Sequence, residues 1–279
     1  MTDTETGTRE ATALTTPTVV LDAVEVDYRV SVEGSGPRGR ARTEHVRAVD
    51  GVTAVIRRGE AVGVLGRNGS GKSTLLRAVA GLTRVTAGHV WAASTPTLLG
   101  VNAAMMPNLS GTRNILLGCM ALGMSRREIK DRMQDIVDFS GLGEAVHRPM
   151  RTYSSGMGSR LRFAIATARV PDILLIDEAL NTGDADFKER SEQRIRELRA
   201  EAGTVMLVSH SLSAIAGTCS RSLWMDGGTL RMDGPTDEVV AAYTEHNKAN
   251  KAWRAGKGAR PTLPGPVVGV DAEFRPVSS

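Results

Sequence analysis

The most specific chemistry in the chain lies in nine residues, Gly66-Arg67-Asn68-Gly69-Ser70-Gly71-Lys72-Ser73-Thr74. They fit the pattern G-x-x-x-x-G-K-[ST] in its required setting: the apolar Ala61-Val62-Gly63-Val64-Leu65 reads as the strand before it, and Leu75-Leu76-Arg77-Ala78-Val79-Ala80 as the helix after it. Glycines at 66, 69 and 71 let backbone N–H groups converge on phosphate oxygens without a Cβ in the way. The helix that follows adds the positive end of its dipole. In this arrangement Lys72 reaches the β- and γ-phosphates of a nucleotide and Ser73 takes a Mg²⁺ ion.

Two further apolar runs end in polar clusters. Ile173-Leu174-Leu175-Ile176 closes in Asp177-Glu178. Behind a phosphate loop, Asp177 becomes the candidate second Mg²⁺ ligand, often through water, and Glu178 the candidate base that polarises an attacking water. Thr204-Val205-Met206-Leu207-Val208 closes in Ser209-His210-Ser211. A lone histidine at a strand end is more often solvated than catalytic. On a third strand of the same sheet, however, His210 would stand near the γ-phosphate, where a ring N–H stabilises the transferred group. A fourth cluster, Tyr153-Ser154-Ser155-Gly156-Met157, precedes a helix expected over Ser159 to Arg169. Two readings stay open for it: its serines cap that helix, or its helix N-terminus is an anion site completing a nucleotide site on another subunit.

These clusters need a scaffold that brings strand ends together. Short apolar runs alternating with helix-period stretches predict an α/β fold with a parallel sheet covered by helices, and ligands bind such sheets at the carboxyl ends of the strands. A 4% aromatic content suits such a core, built from Val, Leu, Ile, Ala and Met. Ahead of the loop, Val19, Val20, Leu21, Val24, Val26, Tyr28 and Val30 predict one strand and Ala48 to Ile56 a second. Between them lies a basic loop with Gly34, Gly36, Pro37 and Gly39 beside Arg38, Arg40 and Arg42. From Met105 to Arg151 the spacing is helical, with Leu109, Ile115, Leu116, Leu117, Leu122, Met124, Ile129, Met133, Ile136 and Val137 expected to pack a core rather than hold a cofactor.

The 279 residues, 41% hydrophobic and 24% charged, exclude wholesale disorder and fibrous architectures. No apolar run reaches the roughly 18 to 20 residues of a membrane span and the N-terminus has no apolar signal core, so a cytoplasmic chain is expected. Cys119 and Cys219 read as buried thiols. A net charge of +4 does not favour a nucleic-acid partner. Residues 1–17 read as a disordered arm and 246–279 as a basic, Pro-rich flexible tail. For that tail, carrying Lys248, Lys251, Arg254, Lys257 and Arg260, a solvated role is favoured over a membrane-surface or partner contact and over a nucleic-acid arm.

Taken in order, Gly66 to Thr74, Tyr153 to Met157, Ile173 to Glu178, Asp184 and His210 resemble the ATP-binding subunit of an ABC transporter, over roughly residues 18–245. The resemblance implies a P-loop NTPase with an ABC-type mixed-sheet core and an inserted helical subdomain at about 105–165. It implies a homodimer that sandwiches two ATP molecules with Mg²⁺, each held by one subunit's phosphate loop and the other's signature helix. On that pattern Tyr28 stacks on adenine, Ser154, Ser155 and Gly156 form the trans signature, and Glu178 is the catalytic base. Asp184 is then the inter-subunit aspartate and His210 the switch histidine. The signature begins with Tyr instead of Leu and resembles the branch that exports polysaccharides and teichoic acids, as do Asn181 to Phe187 and Pro107 to Ile115.

One family feature is absent: no glutamine lies between Gly81 and Gly111, and Asn102 is the candidate stand-in. The resemblance further implies a separate transmembrane permease whose coupling helices meet the helical subdomain. It puts this chain peripherally on the cytoplasmic face of the cell membrane. The chain is expected to be too short for the carbohydrate-binding β-domain of some members, so polymer recognition is expected elsewhere. A soluble ABC-type ATPase acting on nucleic acid or ribosomes, an ABC ATPase exporting another substrate and a small-molecule phosphoryl transferase stay open as alternatives. The last leaves Ser154, Gly156 and Asp184 without a role.

Overall fold

The computed structural model describes residues 16–32, 42–99, 105–177, 185–257, 259–265, 267–270 and 276–278. Outside the described residues lie positions 1–15 of the arm expected over 1–17, the loop at 33–41, Asn102, Glu178 and the stretch 181–184 with Asp184, while Pro17, expected in the arm, opens the first strand. In chain order the elements are β1 (Pro17–Val32), β2 (Arg42–Arg57), β3 (Ala61–Leu65), α1 (Lys72–Val79), β4 (Ala87–Ala92), β5 (Thr97–Leu99), α2 (Gly111–Ala121), α3 (Arg126–Ser140), α4 (Ser155–Ala166), β6 (Ile173–Asp177), α5 (Ala185–Glu201), β7 (Thr204–Val208), α6 (Leu212–Ala216), β8 (Arg221–Asp226), β9 (Thr229–Pro235), α7 (Thr236–Arg254), β10 (Val267–Val270) and β11 (Pro276–Ser278). They fall into two units, residues 1–96 with 203–279, and residues 97–202. Among the described residues no helix is long and apolar enough to cross a membrane.

In the first unit β3 is a short run whose Val62, Val64 and Leu65 are buried, as a strand covered on both faces requires. It pairs in parallel with β7 on one side and β8 on the other, and β9 returns antiparallel to β8. A second sheet has the order β2-β1-β4. The two sheets are fastened by Arg221, which donates to both carboxylate oxygens of Asp233 at 2.7 Å, to Glu60 at 3.1 Å and to the Val55 carbonyl at 2.8 Å. Burial works against the charge of Arg221, but Asp233 and Glu60 outweigh it and hold the guanidinium ionised. Trp224, fully buried on β8, meets Tyr243 and His246 of α7 with ring centroids 5.6 and 5.3 Å apart.

The second unit is mostly helical, with β5 paired in parallel to β6. Ser125 and Glu128 form a reciprocal capping box that starts α3, and Gly141, at φ 64°, ends it. The core joins Ile115, Cys119, Met124, Ile129, Ile136, Val137, Leu161 and Ile165. Phe139, Phe163 and Phe187 form a three-ring cluster with centroids 5.6 to 5.9 Å apart.

Several expectations change. Leu117, expected in the core, is 45% exposed on α2, while Leu116, Leu122 and Met133 are half-buried against the core. The helix after Tyr153 begins at Ser155, not Ser159, and ends at Ala166. The last helix passes His246 and runs to Arg254, so Lys248, Lys251 and Arg254 stand on a helix rather than in a loose tail, and β10 pairs with β11 beyond it. Cys119 and Cys219 are buried and free, and burial pushes the Cys119 thiol up to about 11.

Candidate nucleotide-binding site

Because β3 and β7 run parallel in register, Val64 opposite Val208, the residues that follow each strand emerge at the same sheet edge. That edge carries the loop Gly66 to Gly71 on one side and Ser209-His210 on the other. Ser209 is buried and accepts from the Ser211 N–H at 3.0 Å, while His210 is exposed.

The loop is shaped by groups far away in sequence. Gly66 adopts φ 151°, and a Cβ there would run into the Met225 carbonyl and the Ser70 hydroxyl. Gly71, at φ 98°, lies against the Ala48 carbonyl of β2. The amide of Gly228 donates to the Ser70 carbonyl at 3.1 Å, and the Asp50 amide donates to the Gly228 carbonyl at 2.9 Å. The β8–β9 turn and β2 thus form a backing plate for the loop. The glycines are required by the protein's own backbone before any ligand is considered. Nothing in the local motif announces Ala48, Met225 or Gly228 as its neighbours.

Inside this frame, Lys72 is 5% exposed, and its ammonium donates to the carbonyls of Gly66 at 2.8 Å and Arg67 at 2.9 Å. The charge is therefore fixed across the loop. Gly71 offers no side chain to cap α1, so the N–H groups of its first turn stay available to an anion. The Ser70 hydroxyl is buried, and among the described residues it has no hydrogen-bond partner. A bare helix start, a fixed ammonium and an orphaned buried hydroxyl at one loop fit a phosphate group. Arg67, Asn68 and Gly69 are exposed at the loop's rim, Ser73 is exposed and Thr74 half-buried on α1. Among the described residues no cluster of three or more His, Cys, Asp or Glu could hold a metal by itself.

Tyr28 stands on β1 opposite Val46 of β2 and is 39% exposed. Its strand pair is pinned by Arg47, which holds Asp27 at 3.0 Å, Glu25 at 3.1 Å and Asp50 at 3.1 Å. The Arg47 guanidinium keeps the Asp27 carboxyl below the usual carboxylate range.

The second unit carries the other two groups. Asp177 is half-buried at the end of β6. At α4, Ser154 is the N-cap, its hydroxyl accepting from the Met157 N–H at 3.2 Å, so the capping reading of that serine is correct. Ser155 and Gly156 open the helix, with Ser155 exposed. Unlike Gly71, Gly156 has room: among the described residues a Cβ there would meet only the Ser154 hydroxyl at 3.8 Å.

A phosphate-cradling loop between a parallel strand and a helix, with a histidine at the neighbouring strand end, defines a P-loop nucleotide-binding protein of α/β class. The profile of the ABC transporter family matches residues 49–181. The chain is 39% identical over 239 residues to the O-antigen export system ATP-binding protein RfbB of Myxococcus xanthus, covering 82% of this chain and 55% of that protein. It is 40% identical over 196 residues to the teichoic acids export ATP-binding protein TagH of Lactococcus lactis, covering 70% of this chain and 42% of that protein. It is 37% identical over 199 residues to the O-antigen export system ATP-binding protein RfbB of Klebsiella pneumoniae, covering 71% of this chain and 81% of that protein. The first two matches therefore span about half the length of those relatives. Among solved structures, a dimeric ATP-binding cassette in a post-hydrolysis state with ADP and phosphate superimposes with a TM-score of 0.59 at 22% identity, over 78% of this chain and 98% of that one. The chain belongs to the ABC transporter family of ATP-binding proteins, and its fold is the ATP-binding cassette.

Proposed function

We propose that this chain binds and hydrolyses ATP with Mg²⁺ as the energising subunit of an exporter of a lipid-linked cell-envelope polysaccharide or teichoic acid. The observation that carries the mechanism is the contrast between two glycines. Gly71 is forced by the Ala48 carbonyl beside it, whereas among the described residues nothing crowds Gly156. A glycine at an uncrowded helix position costs roughly 1 kcal/mol relative to alanine, so its use points to a group approaching from outside. A nucleotide held by the phosphate loop of a second copy is such a group.

On this reading the nucleotide supplies the phosphoanhydride bond whose cleavage drives the cycle, and Mg²⁺ offsets the charge that develops on it. The loop amides and Lys72 bind the phosphates, Ser73 and Asp177 hold the metal, and Tyr28 stacks on the base. Glu178 takes the proton of the attacking water, and His210 donates its ring N–H to the transferred group. Ser154, Ser155 and Gly156 complete the site of the partner copy, with Asp184 at the same inter-subunit contact. Closure of two copies on two nucleotides and reopening after hydrolysis would be passed to a separate membrane permease, which places the chain peripherally at the cytoplasmic membrane face.

The names of the relatives and the Tyr-Ser-Ser-Gly-Met signature support the polymer class; the geometry supports the ATP cycle. The catalytic part is tested by steady-state turnover of Glu178→Gln, where at least a hundredfold loss with ATP binding retained is expected and unchanged turnover removes Glu178 as the base. The export part is tested in the host cell with Lys72→Ala. Loss of surface polymer with lipid-linked polymer accumulating inside supports it; unchanged surface polymer contradicts it.

A further inference from the structure

Tyr153, which replaces the leucine usual in this family's signature, stands directly before the Ser154 cap and makes a bond that leucine cannot. Its hydroxyl donates to the Ala145 carbonyl at 2.8 Å, reaching back over the two short 3-10 turns Gly143–His147 and Met150–Thr152. The ring lies against the first residue of α2, and a Cβ on Gly111 would strike the phenol oxygen and Val146. Burial raises the phenol above its ordinary range, against the nearby Gly111 amide and Arg148, so it stays a neutral donor at physiological pH.

The surrounding backbone is stitched together in the same way. The Met150 amide donates to the Leu109 carbonyl at 2.9 Å, the Arg151 amide to the Pro107 carbonyl at 2.8 Å, and Ser110 bridges Pro149. Asn114, 2% exposed, accepts from the Met106 amide at 2.8 Å and donates to the carbonyls of Met106 at 3.1 Å, Leu109 at 3.3 Å and Ser110 at 3.0 Å. Residues 105–114 and 149–153 are therefore one bonded piece. Ser154 and Gly156 leave it through a single residue, Tyr153.

We infer that Tyr153 is a positioning residue: its hydroxyl, bonded to the Ala145 carbonyl and set against Gly111, ties the start of α4 to the 143–147 turn and to the first residue of α2, so that the signature serine and glycine move with the 105–114 segment as one body. Displacing the segment then displaces the signature, and a free signature cannot present its amides in register to a nucleotide on the other copy. This rests on the trans-signature reading proposed above.

The test uses the full chain in the Glu178→Gln background, with ATP and Mg²⁺, and measures the dimer dissociation constant by sedimentation. Tyr153→Phe keeps the ring and removes one part-buried hydrogen bond, and a three- to tenfold weaker dimer is expected. Binding of ATP to the isolated subunit should stay within about twofold, since the phosphate loop is untouched. Thr167→Val serves as a stability control, because it removes the buried hydroxyl bonds to the Phe163 carbonyl at 2.8 Å and the Ala164 carbonyl at 3.4 Å at the far end of α4. That variant should lower the melting temperature without weakening the dimer. If Tyr153→Phe dimerises like its parent, or if both variants weaken the dimer in step with their melting temperatures, the tether is overturned. A Glu178→Gln parent that stays monomeric with ATP contradicts the trans-signature reading itself and removes the basis of the tether with it.

Discussion

Two helix starts in this molecule face anions in different ways. At α1 the N-terminus has no side-chain cap, its glycine is wedged against another strand, and a buried lysine and a buried unpartnered hydroxyl surround it. At α4 the N-terminus is capped by Ser154, exposed, and uncrowded at Gly156. The first is preorganised by its own subunit and can hold phosphate alone. The second already satisfies one of its amides internally, and on the proposed reading its anion is the nucleotide held by a second copy. On the proposed reading one cassette contains a complete half-site and an incomplete one, which is a physical reason for two copies to act together.

The strongest way to break the comparison is at the glycines. Gly71→Ala should strain the backbone by about 1–3 kcal/mol and abolish ATP binding by the isolated subunit, read by denaturant midpoints and nucleotide titration. Gly156→Ala should leave that binding intact and raise stability by up to about 1 kcal/mol, while weakening ATP-dependent dimerisation at least tenfold. Equal effects of the two substitutions on binding by the single subunit would erase the distinction.

The serines sharpen it. Ser154→Ala should cost about 1 kcal/mol of folding stability through the lost cap. Ser70→Ala removes a buried hydroxyl that has no partner among the described residues, so stability should hold or rise slightly while affinity for ATP falls a few-fold. The opposite pattern, with Ser70 the stabilising residue, would mean that its hydroxyl is not reserved for phosphate.

The smallest effect concerns acid. Asp27 has its carboxyl lowered by Arg47 in the folded protein. Its contribution to stability is therefore present above the unfolded value of about 3.9 and lost as pH falls through the lower folded value. The pair is exposed, so a slight loss confined to pH below about 4, weaker in high salt and absent in Arg47→Met, is expected in acid unfolding.

The strand tips were legible because a buried parallel strand must be a short apolar run and must end where polar residues resume. Ala61 to Leu65, Ile173 to Ile176 and Thr204 to Val208 obey that rule, and the loop after the first follows a pattern that few other sites use. The sequence reading starts α4 at Ser159, after two glycines that disfavour a helix interior, whereas the Ser154 cap starts it at Ser155. The end of α7 was misplaced because Lys248, Lys251 and Arg254 read as a solvated tail, although lysine and arginine are good helix formers and no breaker occurs before Gly256. Leu117 follows the helical period of its neighbours yet falls on the outer face of α2. The contacts of Ala48, Met225 and Gly228 with the loop, and of Ala145 with Tyr153, join motif residues to residues that carry no motif. Only the folded chain brings them together.

The account stands most directly on the solution mass of Glu178→Gln with and without ATP and Mg²⁺. It predicts a monomer that becomes a dimer when ATP is added, and a return to monomer when Ser154 is replaced by a bulky residue. A chain that binds ATP at the same concentrations yet stays monomeric would contradict the claim that its own α4 completes the nucleotide site of a second copy.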